Sequence, residues 1–369
     1  MIVAVIGVGV IGGSVGLAAR RRLGATVRGV DPRTDEALAA GAIDEACADL
    51  PSALAGADAA VVAVPLATLP ETVAAVLDAA PPGCLVTDVG STKRAVVAAN
   101  GDERFVGGHP LAGSESAGVA HAREDLFDGA VWYLTPTSTT SGVALERLHR
   151  LVTGLGARPA AIDAETHDRV MAAVSHLPHV VANVLVAQAA RALGGEQLPP
   201  TGPSFRDATR VAGANPALWP DIYLSNRDAL LAAVDDTLER LGEARAALAA
   251  GDRERLAAWQ ADAAGDRQAL LEAGVTGGSS SELRAVVPNR PGVIADIALT
   301  LGREGINISD MALAPSADNT RGEIVLWVGE RDAARARDML ERLGFAVSTP
   351  PSAPEPGAHH HDHEGARPA

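Results

Sequence analysis

Four short stretches of this sequence hold side chains whose types and spacing suit chemistry. The first is Gly7-Val8-Gly9-Val10-Ile11-Gly12, a G-x-G-x-x-G pattern. It follows the apolar run Ile2 to Ile6 and opens a helical stretch from Gly13 to Leu23. A second strand, Thr26 to Val30, then ends in Asp31. In such a βαβ unit Gly7 permits a tight turn and Gly9 lets the backbone approach a pyrophosphate. Gly12 lets helix and strand close, and the helix N-terminus offers N–H groups to phosphate. Asp31 is placed to accept from ribose hydroxyls and to repel a 2′-phosphate. The expected cofactor is therefore NAD rather than NADP, although Arg33 stands close enough to soften that preference.

The second stretch is split: Asp88-Val89-Gly90-Ser91-Thr92-Lys93, then Gly107-Gly108-His109-Pro110-Leu111-Ala112-Gly113-Ser114-Glu115. Ligands of open α/β sheets sit outside the carboxyl ends of strands. Ser91 and His109 both fall there. A histidine so placed can take a hydroxyl proton as hydride leaves the same carbon; the alternative is a hydrogen-bonded loop residue. The third stretch is Ser175-His176-Leu177-Pro178-His179, with Asn183 beyond. Ser175, His179 and Asn183 are spaced by four and share one face of an apolar helix that Pro178 is placed to kink. Buried polar groups need partners, either a substrate or one another. A zinc site lacks a third ligand, so no metal is expected. The fourth is Ser204 to Arg210 followed by Asn215-Pro216-Ala217-Leu218-Trp219. Arg210 suits a bidentate clamp on a carboxylate, or it is simply solvated.

The elements that must position these groups follow from the pattern of apolar residues. Strands at residues 59–64, 84–89, 105–108, 130–134 and 157–162 continue the first two, with helices between them. This predicts a doubly wound α/β Rossmann sheet over residues 1–163. Residues 164–275 read as all helical, and the stretch from Met171 to Leu193 is apolar almost all round, so deep burial is expected, between subunits or within one. Residues 276–281 form a Gly/Ser linker. Residues 282–349 read as a small α+β unit of βαββαβ order, and 350–369 as a disordered tail rich in Pro, Ala and His.

Composition narrows the function classes. The chain has 369 residues, 47% hydrophobic and 21% charged, with a formal net charge of −15. That charge disfavours nucleic acid and anionic lipid as partners, and it makes local arginines necessary for an anionic substrate. Two cysteines, Cys47 and Cys84, are no disulfide framework, and a cytoplasmic setting is expected. The apolar N-terminus has Arg20, Arg21 and Arg22 after its apolar run, the wrong order for a signal sequence. No other segment reads as long and apolar enough to span a membrane.

Taken together, GVGVIGGS, DVGSTK, GGHPLAGSES, VSHLPH and TRVAGANPALW, in this order, resemble the prephenate dehydrogenase family, arogenate dehydrogenases included. The resemblance covers about residues 1–275. It implies oxidative decarboxylation of prephenate to 4-hydroxyphenylpyruvate with NAD, in tyrosine biosynthesis. It also implies His109 as the catalytic histidine on the ring hydroxyl and Ser91 as the serine that orients it. Ser114, Ser175 and His179 become substrate-pocket groups, Arg210 a carboxylate ligand, and Trp219 a packing residue nearby. The stretch Asn289-Arg290-Pro291-Gly292-Val293-Ile294, with Gly305-Ile306-Asn307-Ile308, resembles an ACT domain, which implies Gly292 and Asn307 as ligand-facing. A homodimer through the helical unit and a tyrosine effector are expected. Because the sequence opens on the nucleotide fold, no chorismate mutase segment is expected.

Other readings give different expectations. An arogenate dehydrogenase would yield tyrosine directly. A 3-hydroxyacid dehydrogenase would bring a catalytic lysine on a helix, yet Lys93 is the one lysine in the sequence and lies outside the helical unit. A non-catalytic sensor of NAD and an amino acid would not need Ser91, His109 and Arg210 together.

Overall fold

A computed structural model of the chain describes residues 1–113, 116–192, 201–273, 280–316 and 320–348. Its first unit alternates strands and helices: β1 (Ile2–Ile6), α1 (Val10–Leu23), β2 (Thr26–Val30), α2 (Thr34–Ala39), β3 (Glu45–Ala46), α3 (Leu50–Leu54), β4 (Ala59–Val62), α4 (Leu69–Ala79), β5 (Leu85–Asp88), α5 (Arg94–Ala99), β6 (Phe105–Pro110), β7 (Val131–Thr135), α6 (Gly142–Gly154) and β8 (Arg158–Ala161). The strands form one sheet in the order β3-β2-β1-β4-β5-β6-β7-β8. The order reverses between β1 and β4, which opens the crevice where doubly wound sheets bind their ligands.

Burial explains the apolar runs. In β1, Val3 and Val5 pack into one hydrophobic cluster while Ala4 and Ile6 pack into another, on the opposite face of the sheet. Strands covered by helices on both faces read as continuous apolar sequence rather than as alternation. Two features differ from expectation. The two-residue β3 is too short to leave a sequence signal. Also, β7 runs antiparallel to β6. Among its described residues the connection between them carries one turn of 3-10 helix, Val119–His121, and no crossover helix, so the chain returns along the sheet instead of crossing it.

The helical unit follows: α7 (Ala164–Met171), a π-helical turn at Ala172–His176, α8 (Leu177–Ala192), α9 (Pro203–Thr209), α10 (Trp219–Ser225), α11 (Arg227–Ala250) and α12 (Arg253–Ala273). Pro178 accounts for the π turn. It has no N–H for the Val174 carbonyl and its ring would strike that carbonyl, so the helix widens just before it. The expected deep burial is not met within one chain. Val174, Val184, Leu185 and Val186 are exposed on this helix, as are Leu238, Leu241 and Leu248 on α11. The continuous run Ala164–Ala192 is also long and apolar enough to cross a membrane, contrary to the sequence expectation. Yet His167, Asp168 and His176 on the same run are buried, and they bond to protein groups.

The last unit is β9 (Ser280–Pro288), α13 (Val293–Arg303), β10 (Ile308–Pro315), β11 (Arg321–Gly329), α14 (Ala333–Arg342) and β12 (Val347–Ser348), an antiparallel sheet of order β10-β11-β9-β12. It docks on the nucleotide unit along α6 and β8. Gly142 lies under Ile294, so close that a Cβ there would fall 2.5 Å from the isoleucine side chain. The Gly292 N–H donates to the Thr140 carbonyl at 3.1 Å, buried His149 bonds through Nε2 to the Ile308 carbonyl at 3.2 Å, and Arg303 pairs with Asp163 at 3.3 Å.

Candidate active site

At the cofactor end, Gly7 has φ +91° and a Cβ there would lie 2.5 Å from the Ala63 carbonyl oxygen. A Cβ on Gly9 would meet nothing within 4 Å, so its absence leaves open an approach to the backbone. The first turn of α1 has no acidic residue and no side-chain cap. Its leading N–H groups are therefore available to an anion, which favours the phosphates of a dinucleotide. Asp31 sits just past β2. One of its oxygens accepts from the Val8 N–H and the other from the Arg33 N–H, both at 2.8 Å. The carboxylate thus pins the glycine turn, and each oxygen keeps a lone pair for a ribose hydroxyl. Gly7, Gly9, Gly12 and Asp31 fit NAD.

At the reacting end, β5 and β6 are parallel neighbours. The loop carrying Ser91 and the strand end carrying His109 therefore share one edge of the sheet. Buried Lys93 ties them together. Its ammonium pairs with Asp88 and donates to the Gly108 carbonyl at 2.7 Å. Asp88 in turn accepts from the Gly90 N–H at 2.8 Å and the Gly108 N–H at 3.1 Å. Burial lowers the Lys93 pKa, and Asp88 opposes that shift.

His109 is not alone. Its Nδ1 lies 2.8 Å from Nε2 of His167, whose Nδ1 lies 2.8 Å from Oδ1 of Asp168. Asp168 also accepts from the backbone N–H groups of Lys93 and Arg94, at 2.8 and 3.0 Å. Its backbone carbonyl accepts from buried Asn226 at 2.6 Å, and the same Asn226 amide nitrogen lies 3.2 Å from Nδ1 of His176. Burial, then the charges of His167, Lys93 and His176, hold the His109 pKa well below its usual value. Burial also lowers His167, against the pull of Asp168. It takes His176 down to about 4. Burial raises the Asp168 carboxyl, but its bonds from His167, Arg94 and Lys93 outweigh this and leave it lowered.

The helical side completes the cluster. His179 stacks on Trp219 with ring centroids 3.5 Å apart, and His176 meets the same indole edge-on at 6.1 Å. His179 is also lowered, by burial and by the charge of Arg210, which lies on a 3-10 turn, Arg210–Gly213, packed against α8. Thr92, next to Ser91, shares a 2.7 Å hydrogen bond with Ser225 of α10. The structure therefore brings His109, His179, Trp219 and Arg210 to the end of the sheet that carries Ser91.

Some expected positions differ. Ser175 lies in the π turn, not on a regular α-helical face with His179 and Asn183. Its backbone carbonyl accepts from His179 Nδ1 at 2.9 Å, and Asn183 bonds Tyr223 instead. Ser114 lies outside the described residues. The Gly292 N–H donates to the Thr140 carbonyl, and a Cβ on Gly292 would collide with the Ser138 carbonyl. Asn307 is half-buried in the turn before β10. The sequence reading missed His167, Asp168 and Asn226. His167 and Asp168 are adjacent polar residues in the first helix of an apolar unit, which was the one available signal.

Comparison with known proteins agrees with this geometry. Residues 15–161 match the family described as prephenate dehydrogenase, nucleotide-binding domain, and 163–261 its dimerization domain. Residues 281–345 match the ACT domain. The chain is 33% identical over 355 residues to a prephenate dehydrogenase of Bacillus subtilis, covering 91% of this chain and 94% of that one. It resembles the solved prephenate dehydrogenase of A. aeolicus in complex with hydroxyphenyl propionate and NAD+ (TM-score 0.66, 28% identity, covering 73% of this chain and 98% of that one). It also resembles the arogenate dehydrogenase of Synechocystis (TM-score 0.63, 29% identity, covering 73% of this chain and 100% of that one). A glycine turn fit for a dinucleotide, a desolvated histidine on a strand of the same sheet, and these matches along most of its length lead to one conclusion: the chain belongs to the prephenate dehydrogenase family, NAD-dependent oxidoreductases, and carries an ACT domain after the catalytic units.

Proposed function

We propose that the chain oxidises prephenate to 4-hydroxyphenylpyruvate and carbon dioxide with NAD+. The observation that carries this reading is His109, an imidazole held neutral by burial at the carboxyl end of β6, with Nδ1 engaged by His167. Bound against the N-terminus of α1, NAD+ supplies the hydride acceptor. His109 takes the ring hydroxyl proton as that carbon is oxidised. The carboxylate then leaves as carbon dioxide, and its bond pair enters the ring. The ring becomes aromatic, with negative charge on the former hydroxyl oxygen, and His109 returns the proton there. Charges balance with no proton released, so one group serves as base and then as acid.

In this reading Ser91 orients the hydroxyl, Arg210 clamps a substrate carboxylate, and Ser114, Ser175 and His179 line the pocket over Trp219. The domains run 1–163, 164–275 and 282–349, with a linker at 276–281 and a tail at 350–369. A second copy covers the exposed apolar residues of α8 and α11, giving a cytoplasmic homodimer. The ACT unit binds tyrosine as effector, with Asn307 as a contact.

The likeness to the Synechocystis arogenate dehydrogenase keeps arogenate as a second reading. NADH formation is measured with each substrate. Prephenate is expected to give the higher kcat/KM. Preference for arogenate would replace the substrate assignment, and turnover of neither would return the chain to the sensor reading.

A further inference from the structure

We propose that His167 and Asp168 are positioning residues that fix the tautomer of His109 and stabilise its charge while it holds the proton. The inference rests on the reading of His109 as the base. An ionised Asp168 can only accept, so Nδ1 of His167 must carry a proton and donate it across the 2.8 Å contact. A neutral His167 then presents a bare lone pair at Nε2. His109 must therefore donate from Nδ1 across its own 2.8 Å contact, which leaves the His109 Nε2 lone pair unprotonated. The reversed tautomer would offer the substrate an N–H and no base. When His109 is doubly protonated, its Nδ1–H points along a chain that ends in a negative charge.

The chain is held rigidly. Asp168 is fixed by two backbone N–H donors and by Arg94, whose Nε lies 3.4 Å away. Tyr133, which pairs with His109 across β6 and β7, meets the His167 ring edge-on at 5.6 Å. Asp168 also has a purely structural duty, in holding the start of α5. His167 spends both ring nitrogens on the chain, so it is the sharper probe.

The test compares His167→Phe, Asp168→Asn, Asp168→Glu and His109→Asn in the full-length enzyme. For His167→Phe, kcat with prephenate is expected to fall at least tenfold, while KM and the NAD+ Kd stay within about twofold. For Asp168→Asn the plateau of kcat is expected to fall and its acid limb to move to lower pH, because loss of the negative charge weakens the base. Asp168→Glu, which keeps that charge, is expected to recover more of kcat than the amide does. Histidine-selective 15N NMR is expected to find His109 protonated at Nδ1 in the wild type and at a mixture of nitrogens in His167→Phe. The wild-type tautomer can be read even if turnover is slow or a variant folds poorly, and protonation of wild-type His109 at Nε2 would also overturn the proposal. Unchanged kcat and an unchanged His109 tautomer in His167→Phe, alongside an inactive His109→Asn, would overturn the proposal. A fully active His109→Asn would instead overturn the reading of His109, whatever the tautomer shows.

Discussion

Nδ1 of His109 and Nε2 of His167 lie 2.8 Å apart although 58 residues separate them in the chain. The contact joins the carboxyl end of a central strand to the first helix of the next unit. It sets how the reaction must depend on pH. A base works while neutral, and lowering its pKa extends the neutral range downward. An unperturbed histidine would give an acid limb at about pH 6.5. The groups around His109 are His167, Asp168, Lys93, Asp88, His176 and Tyr133, and their net effect with burial lowers its pKa. In a kcat profile, near-flat rates are expected above about pH 6.5, with the fall well below that. His109→Asn should lower kcat roughly 10²- to 10⁴-fold and abolish the limb.

The same burial makes stability depend on acid. His109, His149, His167 and His176 all have lowered pKa values in the fold. On unfolding they would take up protons near their ordinary pKa of about 6.5. Their contribution is therefore whole above that pH and is lost as pH falls through the folded values, for His176 about 4. Scanning calorimetry between pH 7 and 4, with cofactor absent, should show Tm falling steadily. His176→Gln should flatten the lower part of that fall.

Arg210 is exposed, on a 3-10 turn that packs against α8, the helix that carries His179. Arg210→Ala should remove a charge-assisted contact worth about 2 kcal/mol, or roughly a thirtyfold rise in KM for prephenate. The NAD+ Kd should hardly move. A normal KM would mean the arginine holds no substrate group.

Asp31 serves the glycine turn as well as the ribose, because both of its oxygens hold backbone N–H groups. Wild-type kcat/KM should be at least about tenfold lower with NADP+, from repulsion of the 2′-phosphate. Asp31→Ala should weaken NAD+ without restoring NADP+, since the turn loses its brace. Equal efficiency of the two cofactors in the wild type would point to Arg33.

The ACT unit's docking bears on its role. Its linker suggests a module that can be removed at will, yet α13 and β10 lie against α6 and β8, with Ile294 seated on Gly142. Gly292→Ala would place a side chain at φ +81° and against the Ser138 backbone. It should lower Tm and speed hydrogen exchange in α6 and β10, with NAD+ binding retained. Protection unchanged in both elements would show that the docked contact is dispensable.

Much of this molecule was legible in its residue order. The glycine turn, Asp31, Ser91 and His109 announce themselves because each sits at a strand end, where local pattern and chemistry coincide. His167 and Asp168 do not. Their meaning comes from a contact made only after two units fold together, and nothing in the neighbouring residues encodes it. The helix after Met171 was legible in its apolar character only. Apolar composition says that a surface will be covered, not that the same chain covers it. The π turn was half-visible: Pro178 signalled an irregularity, but not that Ser175 would give its carbonyl rather than its hydroxyl. The reversal of β7 depended on the lack of a crossover helix in a long loop.

Lys93 is the only lysine in the chain, and its side chain is 0% exposed in its pair with Asp88. The folded protein therefore shields its one lysine amine from acylating reagents and offers it only when the sheet opens. Acylation of Lys93, located by peptide mass, marks each molecule that has unfolded.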